Sequence, residues 1–339
     1  MKKIVLFLVA VLPLFACNRE LNNERDAKKI NIEVFIEGVG TKATGITSND
    51  PTTEAKVNTL QILVFNGDAL DGYNSSTASS CVVTCSAGSR DIYAVVNGPD
   101  LSAVTSKAAM LATSVSLVEN VANFVMVGHK TETLGESGSV SLTVDRLASR
   151  VVVHGVKNAH ANGTLAADFE LVSLYLTNAC GELNLGMSDN FAVTTFYNRR
   201  GYEADNNLGG FTYDAVGSKI ASGATNDTKH FFYTMPNRYD VAVGGVWSPR
   251  RAKLLIRVKL AGVLYDYPVV LPAMSSNKSY EINLLTITKN GNLDDGNHDY
   301  NDPDDTDEEK PVEGFDKTFT ITVNNWDVVL LGDEGNVSI

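Results

Sequence analysis

The run Ile30-Asn31-Ile32-Glu33-Val34-Phe35-Ile36-Glu37 repeats with a period of two. Ile30, Ile32, Val34 and Ile36 alternate with Asn31, Glu33 and Glu37, so an extended chain puts all four aliphatics on one face. Phe35 is the one apolar residue out of phase. Comparable short runs follow at Val57–Asn66, Cys81–Cys85, Arg90–Asn97, Phe124–Val127 and Val140–Val144, separated by Gly, Asn, Asp and Ser clusters. Strands and turns at this frequency predict an all-β sandwich or barrel. Ser102–Leu117 is the best helix candidate, a connector.

The pattern breaks near Asp145-Arg146-Leu147 and restarts at Arg150, with runs at Val151–Val156, Phe169–Thr177, His230–Met235, Leu254–Leu260, Leu264–Leu271 and Tyr280–Thr288. A chain of 339 residues holds two ordinary cores. The expected division is one β-sandwich over 43–146 and a second over 147–290, with Thr195–Thr228 a polar surface excursion.

The N-terminus reads as an export signal. Lys2 and Lys3 precede an apolar run of 12 residues, Ile4–Phe15, which is too short for the roughly 20 residues of a membrane span. Leu14-Phe15-Ala16-Cys17 looks like a bacterial lipobox, which implies cleavage after residue 16 and lipid attachment at Cys17. Several acyl chains, at about 0.8 kcal/mol per buried methylene, anchor such a precursor firmly in a membrane. A net charge of −12 argues against a nucleic-acid partner.

No catalytic or cofactor constellation is present. The histidines at 129, 154, 160, 230 and 298 are scattered, with no HExxH, and no G-x-S-x-G elbow exists. Asp295-Gly-Asn-His-Asp299 starts like a calcium loop, but Tyr300 stands where Gly is needed and Thr306 where Glu is needed, so no metal site is assigned. Cys81 and Cys85, four apart on one strand, lie roughly 13 Å apart, too far to bond each other. They read as small buried residues, and a bond from Cys180 to either stays open.

The C-terminus has a different character. Residues 291–314 form an acidic linker, with nine carboxylates between 292 and 309. Beyond it, within 315–339, Phe319, Ile321 and Val323 share one strand face; after Asn324-Asn325 the phase shifts to Trp326, Val328 and Leu330. A bulge or bend at the Asn pair accounts for the shift. Six such side chains represent roughly 9–18 kcal/mol of apolar transfer as an upper estimate.

In order along the chain, these features resemble the fimbrillins of Bacteroidales bacteria, the FimA-type major fimbrial subunits. The resemblance rests on the lipobox cysteine, the first strand, Glu54–Gly67, Asp91–Asn97, Asp145–Val153, the acidic linker, Thr320-Ile-Thr-Val323 and Trp326. It implies two tandem transthyretin-like β-sandwich domains and a lipidated pro-segment, 17–42, that includes the first strand. By the same resemblance, a trypsin-like surface protease is expected to cut after that strand, which leaves. The C-terminal strand pair of another subunit then fills the groove where Ile30, Ile32, Val34 and Ile36 sat. Partners are further copies of the chain and other fimbrial subunits, with the outer membrane holding the precursor. The family's cut usually follows Arg; between the first two strands this chain has only Lys42 and Lys56, of which Lys42 in the Gly-rich loop is preferred. The expected function is a fimbrial shaft subunit, with no enzyme activity or cofactor. The alternatives are a tip or accessory adhesin, or a glycan-binding surface lipoprotein using Tyr197, Tyr202, Phe211 and Tyr213.

Overall fold

The computed structural model describes residues 28–37, 40–41, 54, 56–189, 191–198, 208–238, 251–293 and 321–325, with only the backbone given at 37, 40–41 and 321–325. Eight strands build the two main sheets of the first unit, beside a short parallel pairing of Gly40–Thr41 with Lys56–Val57: β1 Lys29–Glu37, β2 Leu60–Asn66, β3 Ala69–Ser76, β4 Ser80–Ser86, β5 Gly88–Val96, β6 Met126–Leu134, β7 Gly138–Thr143 and β8 Asp145–Arg146. They form a sheet ordered β7-β1-β4 and a sheet ordered β8-β6-β5-β2-β3. The two sheets enclose one apolar cluster, to which β1 contributes Ile30, Ile32, Val34 and Ile36.

The second unit contains β9 Ser149–Val153, β10 Phe169–Thr177, β11 Tyr213–Lys219, β12 His230–Thr234, β13 Lys253–Leu260, β14 Val263–Val270, β15 Lys278–Ile282 and β16 Asn292–Leu293. Its sheets run β12-β9-β15 and β11-β10-β13-β14-β16. Each strand of the first unit's two main sheets therefore has a counterpart eight labels later, in the same sheet position. The sense is kept as well: β1 is antiparallel to β4 and parallel to β7, and β9 is antiparallel to β12 and parallel to β15. A further strand, β17 (Ile321–Asn325), lies antiparallel on the outer edge of β15.

Local chemistry explains most of these elements. β2 is buried on both faces: Leu60, Ile62 and Val64 join the β1 cluster, while Leu63 and Phe65 join a second, larger cluster. That larger cluster runs through residues 101–125 into the second unit, where Phe124 meets Tyr233 with ring centroids 5.1 Å apart. The expected helix over Ser102–Leu117 is shorter than its composition suggests. α1 covers Lys107–Ala112, capped by Ser106, whose hydroxyl accepts from the Ala109 N–H at 3.1 Å. A three-residue strand, Ser114–Ser116, then pairs with Glu182–Asn184 of the second unit, and α2 (Leu117–Asn120) starts in a capping box. Among the described residues no helix is long and apolar enough to cross a membrane.

Part of the expected polar excursion at Thr195–Thr228 is ordered sheet. β11 is the edge strand beside β10, and Tyr213, Ala215 and Lys219 pair with Tyr175, Ser173 and Glu170. The surface reading missed it because this edge strand buries none of its side chains fully, so no apolar alternation is required of it.

Candidate functional site

The first strand is the candidate site. β1 is the middle strand of its sheet, with six residue pairs to β7 and seven to β4. Ile30, Ile32, Val34 and Ile36 are 3%, 1%, 0% and 6% exposed, whereas Phe35, on the opposite face, is 37% exposed. Val34 faces Cys81 across one ladder and Val140 across the other; Ile30 faces Cys85 and Ile32 faces Val83. The floor beneath them is Leu60, Ile62 and Val64 of β2 with Ile92, Ala94 and Val96 of β5. Four side chains buried this completely contribute roughly 6–12 kcal/mol as an upper estimate. Without β1, β4 and β7 have no common partner, and a long apolar slot with two unpaired edges lies open.

Polar contacts fix the register. Asn31 Oδ1 accepts from the Thr84 hydroxyl at 2.7 Å, and Glu33 Oε1 accepts from the Ser80 hydroxyl at 3.3 Å. At the start of the strand, Lys29 Nζ donates to Asp71 Oδ1 at 3.1 Å. Asp71 also accepts from the Ser86 N–H and hydroxyl, at 2.7 and 2.8 Å, and from Arg90 Nε at 2.9 Å. Burial pushes the Asp71 carboxyl up, but these donors outweigh it and hold the group at about 2, below the ordinary 3.8. A lowered folded-state value stabilises above the unfolded value and loses that contribution as pH falls through the folded one. Asp71 is therefore expected to contribute about 2 kcal/mol at neutral pH. That contribution fades between pH 3.8 and about 2. Urea unfolding of the chain and of Asp71→Asn across this range checks it, the variant showing the shallower dependence.

The remaining expected residues divide by position. Cys17, Lys42, Phe319, Trp326, Val328 and Leu330 lie outside the described residues, as do the acidic stretch 294–314 and His298. Ile321 and Val323 belong to β17, whose pairing runs through Asn324 and Asn325 to Lys278 without a register shift. Lys56 is described: its carbonyl accepts from Asn97 Nδ2 at 2.7 Å. Cys81, Cys85 and Cys180 are free and buried, and burial pushes the Cys180 thiol up to about 12. Their environment is that of inert structural thiols.

The histidines have structural partners: His154 meets Glu281 at 2.9 Å, His230 meets Asp214 at 2.7 Å, His160 meets Asn290 at 2.9 Å, and His129 stacks on Tyr93. Among the described residues no group of three or more His, Cys, Asp or Glu is placed to hold a metal ion. Of the aromatic set suggested for glycans, Tyr197 is 5% and Phe211 2% exposed, Phe211 stacking on Phe124 and lying tilted against Tyr233; Tyr213 is half-buried in β11, and Tyr202 lies outside the described residues.

One buried polar cluster gave no sequence signal. Glu54, 4% exposed, accepts from the Tyr233 hydroxyl and from Arg150 Nη1, both at 2.8 Å, while its backbone carbonyl accepts from Arg146 Nε at 3.1 Å. Arg146 is 1% exposed, and burial lowers its guanidinium to about 10.

Residues 29–146, the whole first unit, match the family model described as Major fimbrial subunit protein (FimA). No curated protein matches the chain in sequence. Solved structures share the fold at low identity. A Bacteroides eggerthii protein described as a candidate for cell adhesion is 19% identical with a TM-score of 0.61, covering 88% of this chain and 97% of its own. A Parabacteroides distasonis protein of the same description is 15% identical with a TM-score of 0.59, covering 90% and 99%. A fimbrilin (fimA) of Porphyromonas gingivalis W83 is 18% identical with a TM-score of 0.53, covering 80% and 93%.

Proposed function

We propose that the chain is a structural subunit of a bacterial surface fimbrium, exported as an outer-membrane lipoprotein through Cys17 and polymerised by exchange of β1. A trypsin-like protease cuts at Lys42, β1 leaves with the lipidated segment, and the C-terminal strand of a further copy enters the vacated slot. Phe319, Ile321, Val323, Trp326, Val328 and Leu330 supply its apolar side chains. The role is structural rather than catalytic.

The observation that carries this reading is the position of β1 within a FimA-type unit. It is the central strand and seals the core, yet the chain runs to its successor β2 only through residues 38–59. Its counterpart β9 is fastened to β8 by Leu147 and Ala148 alone, so a cut there would divide the units rather than free a strand. Strand addition of this kind draws affinity from backbone bonds and register from alternate side chains. β17 is held along one edge, by five residue pairs to β15. A strand in the place of β1 gains a second ladder and an apolar slot, which favours transfer. A head-to-tail contact that does not close on itself yields a filament.

Thiol counting tests the opening step. Cys81 and Cys85 lie opposite Val34 and Ile30, so β1 itself shields them, whereas Cys180 is buried in the second unit. The chain without its first 17 residues is expected to show no reactive thiol when intact and two after the cut, when β1 has left. Assembly should close both again. A cut chain in which β1 dissociates while both thiols stay closed would contradict the slot.

A further inference from the structure

Glu54 sits between the segment that leaves and the body that stays, and on it depends which lysine ends the pro-segment. We infer that Glu54 is a retained anchor that confines the productive cut to its N-terminal side, at Lys42 and not Lys56. This rests on the strand-exchange reading. The Glu54 carboxylate reaches forward into the second unit: Tyr233 and Arg150 hold its two oxygens at 2.8 Å, and Arg146 holds its backbone carbonyl at 3.1 Å. These partners lie 92 to 179 residues away in sequence.

The chain just after Glu54 is held from the other side. Asn97, in the left-handed region at φ 55°, donates from Nδ2 to the Lys56 carbonyl at 2.7 Å and accepts at Oδ1 from the Asn58 N–H at 2.8 Å. Val57 is 4% exposed. The Lys56–Val57 bond therefore lies between two fixed points, with its own carbonyl engaged, whereas a protease needs an extended stretch free of such bonds.

The chemistry of the anchor also separates the two cuts. A cut at Lys56 removes Glu54 with the pro-segment and withdraws the carboxylate from Arg150, Arg146 and Tyr233. Arg150 keeps Glu281 and the Ser279 hydroxyl, but the cluster loses the carboxylate that joins it, and removing one side of a buried pair costs more than the pair contributes. A cut at Lys42 leaves the whole cluster in place. The retained chain is then held at Glu54, ahead of β2.

The test is limited trypsin digestion of the chain without its first 17 residues, which keeps every described element. The N-terminus of the largest fragment is sequenced, and exchange of the Asn58 amide is followed by hydrogen exchange. The chain is expected to start at Ala43 after the cut, with no product starting at Val57 and a slowly exchanging Asn58 amide. Glu54→Ala is expected to add a product starting at Val57. Should Glu54→Ala fail to fold, Glu54→Gln, which keeps one acceptor and loses the charge, gives the same product in smaller amount with faster Asn58 exchange. Abundant Val57 product from the unaltered chain would overturn the inference, as would variants with unchanged cleavage and unchanged Asn58 exchange. The readout does not depend on assembly. Cleavage at Ala43 that responds to Glu54 without multimers would retain the anchor and remove strand exchange. Assembly of a chain cut at Lys56 would do the reverse.

Discussion

Val34→Asp is expected to empty the slot without any protease. Val34 is fully buried, between Cys81 of β4 and Val140 of β7, in a cluster of aliphatic side chains, Met126 and two thiols. A carboxylate placed there has no hydrogen-bond donor, so it must either be protonated or expel the strand. The expected loss is about 4 kcal/mol or more, in the range reserved for a buried unpaired charge. Under strand exchange the loss should appear as release of β1 rather than as general unfolding. Cys81 and Cys85 then react at neutral pH while the second unit stays closed around Cys180. Phe35→Asp is the control: Phe35 points outward at 37% exposure, and the expected change is within about 0.5 kcal/mol. Urea unfolding with thiol counting separates the two variants. A Val34→Asp chain as stable and as closed as the Phe35→Asp chain would place Val34 outside the core.

Removal of residues 315–339 is expected to uncouple opening from assembly. The truncated chain keeps β1 and its slot, so it should be cut and expose Cys81 and Cys85 as the longer chain does. It has no strand to give, so it cannot add to a further copy. It still has a slot to receive one, and mixed in excess with the cut full chain it should stop filaments at short lengths. Loss of β17 also bares the outer edge of β15, but that edge carries only five residue pairs, so the second unit should persist. Size-exclusion chromatography of the mixtures reads the outcome. Long multimers of the truncated chain alone would mean that the donor lies elsewhere.

The sequence discloses these features unequally, for physical reasons. β1 was legible because a strand with one buried face must alternate, and Ile30 to Ile36 do so with a single exception. The restart after Asp145 was legible as well, since the turn residues thin out only within strands. The eight-strand correspondence between the units was not. It resides in neighbour order and strand sense, which leave no residue-level period once side chains differ. β3 and β11 were missed because neither buries a full apolar face: β3 reads Ala69-Leu-Asp-Gly-Tyr-Asn-Ser-Ser76, with Leu70 and Tyr73 only half-buried against the core and Gly72 fully covered. Glu54 falls within a family-like stretch, yet nothing about a single glutamate predicts burial. Its partners Arg146, Arg150 and Tyr233 meet it only after both units have folded. The same holds for Cys81 and Cys85, rightly read as small buried residues. That β1 is what buries them follows from the register alone.

The most direct measurement is an unboiled SDS gel of the chain without its first 17 residues, before and after limited trypsin, with a boiled lane beside each. Strand exchange predicts a ladder of multimers after the cut only, collapsing to a single shortened band on boiling, with an N-terminus at Ala43. A chain cut at Lys42 that loses β1 and remains a monomer in the unboiled lane would contradict it.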